Sequence, residues 1–229
     1  MHWLDLGFVA TFAGAWPAYE NFVRLPRVRA EIAAQGGPRR VREYRTIMLQ
    51  EWVLVAVAAV LMITGGRSWS SIGLVLPQGA GLLWSVALVA LIVAFLVVQY
   101  RTATGSDAAR AAVGRQLAPL RWLLPSSAEL ANFRALSVTA GVCEEILFRG
   151  YLMAFLLPIF GTGGAIVVSS LLFGLGHAYR GFGGIVKSGV LGAIMAGIYV
   201  LTGSLLAPIL VHALVDVVSG QIAADVPAA

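Results

Sequence analysis

Gly79 to Val98 is a run of twenty residues without one charged side chain. Wound as a helix, it is about 30 Å long, the thickness of a bilayer's hydrocarbon core. A run with no polar face has nothing to present to water. In lipid, only a helix or a closed barrel satisfies every backbone donor and acceptor. The length fits a helix. Met48–Thr64, Ala135–Phe160, Gly163–Tyr179, Gly184–Leu201 and Leu205–Ala223 repeat the pattern, with Gly65-Gly66, Gly161-Thr162-Gly163-Gly164 and Thr202-Gly203-Ser204 as turns between runs. Leu6–Trp16, extendable to Trp3–Tyr19, reads as a further transmembrane helix, with a re-entrant or interfacial helix as the alternative. Overall, 59% of the chain is hydrophobic and 12% charged, roughly half the charge of a soluble domain. The expected fold is all-α: a polytopic transmembrane bundle of about seven spans (six to eight).

The net charge of +5 comes in blocks between the apolar runs. That pattern fits the cytoplasmic positive excess of membrane proteins and argues against nucleic acid as a partner. Arg24, Arg27, Arg29, Arg39, Arg40, Arg42 and Arg45 form one basic loop, for which an anionic-lipid site is the alternative reading. Arg101, Arg110, Arg115, Arg121 and Arg134 mark a second. Between the last five, Ala108–Ala118 reads as an amphipathic surface helix ending before Pro119. Both loops fall on the cytoplasmic side, and the uncharged turns at Gly161–Gly164 and Thr202–Ser204 fall outside. Seven spans then put the N-terminus outside and the C-terminus in the cytoplasm. No cleavable signal peptide is evident, and the single Cys143 excludes an internal disulfide. Fifteen arginines against one lysine suggest a GC-rich prokaryotic genome, hence a prokaryotic plasma membrane. The chain divides into N-terminal helices with basic loops (1–134) and a C-terminal four-helix core (135–229).

Ionised groups at bilayer depth cost about 2.5–3.5 kcal/mol each on insertion scales, so they are rare and usually functional. The C-terminal core nevertheless holds Glu144, Glu145 and Arg149 in one run, His177 in the next, and His212 and Asp216 in the last. Counted along ideal helices, all lie in the middle or cytoplasmic half of a membrane ~30 Å thick, close enough in depth to meet. Glu145 and Arg149 stand i,i+4 with the acid first, the favourable order for a helical ion pair. Glu144 then has no local counter-charge and is the candidate general base. His177 can share a water with it, and His212 with Asp216 can polarise a carbonyl or meet an oxyanion. The alternative is a set of separate structural ion pairs and helix-to-helix hydrogen bonds.

The three motifs, Glu144-Glu145-x-x-x-Arg149, Phe173-x-x-x-His177 and His212-x-x-x-Asp216, resemble those of the CAAX-protease and bacteriocin-processing (CPBP) membrane protease family in order, spacing and placement on separate apolar helices. The resemblance covers about the last hundred residues. It implies a metal-independent glutamic intramembrane endopeptidase with its catalytic core in the last four helices. Glu144 would activate water with His177, His212 and Asp216 would stabilise the tetrahedral intermediate, and Glu145, Arg149 and Phe173 would shape the site. The family often has Asn where Asp216 stands, and an ionised Asp cannot donate a hydrogen bond to an oxyanion. Asp216 would have to be protonated or serve to orient His212.

The resemblance implies no cofactor and a membrane-anchored protein or peptide substrate cut on the cytoplasmic side. The runner-up enzyme is a zinc peptidase with Glu144, His177 and His212 as ligands, although no His-Glu-x-x-His helix is present. The non-enzymatic alternative is a membrane chaperone, immunity factor or proton-coupled transporter. Cys143, beside Glu144, reads as a small core residue, because adjacent helix positions do not face each other.

Overall fold

The computed structural model describes residues 3–226, and among them every regular element is helical. Residues 1–2 and 227–229, the outer ends of the two expected halves, lie outside the described residues. Helix α1 runs over 3–35, α2 over Gly37–Thr64, α3 over Gly79–Thr104 and α4 over Asp107–Leu117. Then follow α5 (130–160), α6 (162–176), α7 (Gly181–Thr202) and α8 (Leu206–Asp225). Among the described residues, five helical stretches are long and apolar enough to cross a membrane: α2, α3, the 47-residue run Leu130–Gly176, Ala178–Thr202 and α8.

The 47-residue stretch is two limbs. At Gly161 the backbone takes φ 65, ψ 178, a conformation open to glycine at little cost. The Ser169 hydroxyl donates to the Phe148 carbonyl at 3.2 Å, so α6 folds back along α5. The expected turn at Gly161 is therefore present.

The basic stretch Arg24–Arg45, expected as a loop, is helical on both sides of a sharp corner at Gly36 (φ 68). Its arginines find carboxylates both one helical turn away and across the corner: Arg24 lies 2.6 Å from Glu20 and Arg39 3.1 Å from Glu43 within a helix, while Arg24 Nη2, 2.5 Å from Glu43, and Arg39, 2.7 Å from Glu31, tie α1 to α2. Pro38 in the first turn of α2 suits that start, where a missing N–H costs nothing. In α1, π-helical stretches over Thr11–Ala15 and Glu20–Arg24 each end just before a proline, Pro17 and Pro26. The wider turn absorbs the proline ring and its missing donor without breaking the helix. The short surface helix is present over Asp107–Leu117, capped by Ser106, whose hydroxyl accepts from Ala109 N at 3.1 Å.

Polar contacts sort the connections into two ends. At one end, Arg40 donates to the Trp122 carbonyl at 2.8 Å, Tyr44 to the Leu123 carbonyl at 2.6 Å, and Tyr100 to Asp225 at 2.8 Å. Both arginine-rich segments and the end of α8 therefore share a face. At the other, Ser204 donates to the Val75 carbonyl at 2.6 Å and Arg67 to Asp5 at 2.7 Å. Helix α1 joins the two: Asp5 sits at the second end, while the Asn21 side chain accepts from Tyr179 N at 2.6 Å at the first. Residues 5–21 thus connect the two ends, although this helix is not among the five stretches long and apolar enough to cross a membrane.

Polarity is inverted relative to a soluble protein. Leu83, Val86, Leu91, Phe95 and Val98 of α3 are exposed, whereas Glu43, Glu145 and Arg149 are fully buried. A belt of that extent is stable only against lipid. The chain is an integral membrane protein.

Candidate active site

Small residues set how closely α5 and α8 approach. A side chain at Gly141 would put its Cβ 2.8 Å from the backbone nitrogen of Ala213, too close for any Cβ. The glycine lets the helices touch one turn before Glu144 and Glu145, beside His212. From Glu145 to Leu152 the helix widens into a π-helical stretch, a form that recurs at functional sites.

Glu145 is the hub of the buried layer. Its Oε1 accepts from Arg149 Nη1 at 2.9 Å and from His212 Nδ1 at 2.7 Å. Arg149 also donates to the Gly192 carbonyl at 3.0 Å and lies 4.3 Å over the Phe173 ring. The absent Cβ of Gly192 makes room for this arrangement, since it would meet both Arg149 Nη2 and Phe173 at 3.2 Å. The glycine and alanine stripe of α7 therefore does more than pack helices: at Gly192 it admits a guanidinium.

Because Nδ1 of His212 is engaged by Glu145, its Nε2 faces outward. It lies 3.7 Å from Glu144 Oε2 and 3.7 Å from Asp216 Oδ2, ion-pair separations too long for hydrogen bonds. Nδ1 of His177 is 2.8 Å from the Phe173 carbonyl. A carbonyl only accepts, so Nδ1 carries the proton and Nε2 is the open nitrogen. Phe173 holds the layer together, its ring centroid 4.7 Å from that of His177 and 6.0 Å from that of His212.

Glu144, His177, His212 and Asp216 line one cavity of about 130 Å³, which Glu51 and Arg180 also reach. Glu145 and Arg149 lie behind it, each 0% exposed. All seven residues singled out in the sequence are thus brought together. Five line the cavity, and one of them, Phe173, also packs against Arg149 of the buried pair. The pair Glu145–Arg149 was legible from spacing. The bond from His212 to Glu145 was not, because 67 residues separate them.

Glu51 was missed. It is the only acid in α2 beyond Glu43, and an ionisable residue inside an apolar run is a functional candidate by default. That signal was available at the edge of the Met48–Thr64 run. Cys143 is fully buried, in keeping with a core residue. As for metal, no group of three or more His, Cys, Asp or Glu among the described residues is clustered to hold an ion. The set Glu144, His177 and His212 shares a cavity without converging on one point.

Residues 126–218 match the family model described as type II CAAX prenyl endopeptidase Rce1-like. The matched segment contains Glu144, Glu145, Arg149, Phe173, His177, His212 and Asp216, and excludes Glu51. No curated protein and no solved structure matches the chain.

Proposed function

From the match of residues 126–218 to the type II CAAX prenyl endopeptidase family model, we propose that the chain belongs to the CAAX-protease (CPBP) family and hydrolyses a peptide bond of a membrane-anchored protein or peptide with water activated by Glu144 and His177. The observation that carries this reading is the single cavity lined by Glu144, His177, His212 and Asp216, with Glu144 3.7 Å from His212.

Glu144 has an oxygen, Oε2, with no hydrogen-bond partner, so it is available to accept a proton from water. His177 Nε2 orients that water. The water oxygen bonds to the scissile carbonyl carbon, its proton passing to Glu144. The carbonyl oxygen becomes an oxyanion, met by His212 Nε2–H when the ring is doubly protonated; such donors are worth several kcal/mol where water is excluded. The C–N bond then breaks, and Glu144 returns the proton to the leaving amine. Glu145 holds His212 by its other nitrogen, and Arg149 holds Glu145. Asp216, 3.7 Å from His212, supports a protonated His212 as a carboxylate. This avoids asking it to donate to the oxyanion.

The basic end of the bundle faces the cytoplasm in this reading, because positively charged segments stay inside. Residues 135–229 then form the catalytic core, the N-terminus lies outside, and the membrane is a prokaryotic plasma membrane. Metal plays no part in the scheme, so cleavage is expected to survive chelators.

Comparative mass spectrometry of membrane peptides from cells with wild-type or Glu144→Gln protein tests the reading. The substitution nearly preserves volume, so cleavage products are expected to vanish while the variant remains folded. A folded Glu144→Gln protein with full activity would sink the mechanism. Membrane peptides that do not differ between cells with and without the wild-type protein would favour the chaperone or transporter reading.

A further inference from the structure

We propose that Glu51 is a specificity-determining residue, its carboxyl taking a basic side chain of the substrate beside the bond that Glu144 addresses. The proposal rests on the reading of that cavity as a peptidase site. A second cavity, of about 190 Å³, adjoins the first, and Glu51, Glu144, Phe173 and His177 line both. The second is walled mainly by apolar side chains such as Phe12, Trp16, Leu54 and Phe148, with the ion-paired Arg24 and Glu20 also lining it, so Glu51 stands in the wall shared by the reaction cavity and a largely apolar groove.

Its Oε2 is sealed from solvent and has no hydrogen-bond partner. The neighbouring acids are committed. Glu20 and Glu43 hold Arg24 at 2.6 and 2.5 Å, and Glu145 holds Arg149 and His212. Three carboxyl groups, Glu51, Glu144 and Asp216, therefore face one small cavity in which Arg180 is the one permanent cation. A sealed carboxylate is costly unless an opposite charge and donors reach it. A lysine or arginine side chain supplies both, and its methylene stem suits walls such as Leu54 and Phe148. A backbone amide supplies a donor without the charge.

The test uses membrane-anchored peptides carrying Lys, Gln or Glu at positions flanking the cleaved bond, with purified full-length protein in detergent. Binding is measured on Glu144→Gln protein, which holds peptides without cutting them, and on Glu144→Gln/Glu51→Gln. The lysine peptides are expected to bind Glu144→Gln protein about ten- to a hundred-fold tighter than the glutamine peptides, as a charge-assisted bond implies. The double variant is expected to lose that preference. In cleavage by Glu144-intact protein, Glu51→Gln is expected to raise KM for lysine relative to glutamine peptides. Should Glu51→Gln fail to fold, Glu51→Asp keeps the charge on a shorter arm and is expected to retain part of the preference. No lysine preference at any position, or the same preference with and without Glu51, overturns the proposal. Wild-type protein that binds these peptides with the Glu51-dependent preference but cuts none would refute the peptidase reading and leave the Glu51 site standing.

Discussion

Glu144 and Glu145 are chain neighbours whose surroundings separate their duties. Glu145 is bonded to Arg149 and His212 and is fully buried, whereas Glu144 lines a cavity with one oxygen unpartnered. Breaking a buried pair by removing one member strands the other, at about 3–5 kcal/mol. Arg149→Ala is therefore expected to lower the thermal midpoint in detergent sharply. Arg149→Lys is expected to recover only part of the loss. One ammonium cannot reproduce the fork to Glu145 and the Gly192 carbonyl together with the stacking on Phe173. Equal midpoints for Arg149→Lys and wild type would show that charge alone suffices. Spacing along one helix was enough to foresee Glu145–Arg149. Glu51 carried its own signal, an acid at the start of an apolar run, yet only the packing of α2 against the core shows what it faces.

At the scale of elements, the close approach of α5 and α8 decides whether the site exists. The Cβ of Gly141→Ala would lie 2.8 Å from Ala213 N, and a backbone atom cannot swing aside as a side-chain end can. The helices must part by some tenths of an ångström just where Glu144 faces His212. Misplacement on the order of 1 Å can cost about a hundred-fold in rate. Gly141→Ala is expected to cut cleavage by about ten-fold or more, with a smaller effect on the melting midpoint. A rate equal to wild type would mean that the helices yield elsewhere. Glycine and alanine at helical spacing announce close packing in the sequence. Which glycine abuts which partner depends on helix order and register, which no local pattern encodes.

Across the whole molecule, the basic end is tied by ion pairs between segments far apart in sequence. Glu129 sits 2.6 Å from Arg40 of α2, and its carboxylate accepts from Ser126 N at 2.8 Å. Burial alone would raise its pKa. The Ser126 amide, the Arg40 guanidinium and the Ser126 hydroxyl outweigh burial and hold it below the ordinary carboxylate value. A depressed folded-state pKa contributes stability that is present above the unfolded value, about 4.3, and is lost as pH falls through the folded one. Glu129→Gln is expected to be less stable than wild type at neutral pH, with the difference shrinking as the medium is acidified below that value. Melting midpoints of the two proteins against pH check this. A gap that stays constant down to the most acidic pH would assign the effect to lost geometry and not to charge.

Much about this protein follows from sequence alone. Apolar runs of bilayer length require transmembrane helices, Gly161 and Gly203 mark turns, and the three motifs place ionisable residues on separate helices. These are local properties, set by backbone satisfaction in lipid and by 3.6-residue periodicity. Other features exist only in the packed bundle. The two helical arms of the Arg24–Arg45 stretch are held together because Arg24 finds Glu43 and Arg39 finds Glu31 across a corner at Gly36. Residues 5–21 connect the two ends of the bundle because Asp5 and Asn21 are anchored at opposite ends. His212 pivots on Glu145, and Glu51 joins the cavity from outside the segment that the motifs define. Each of these depends on contacts between residues distant in the chain, whose energy is realised only once the helices have docked.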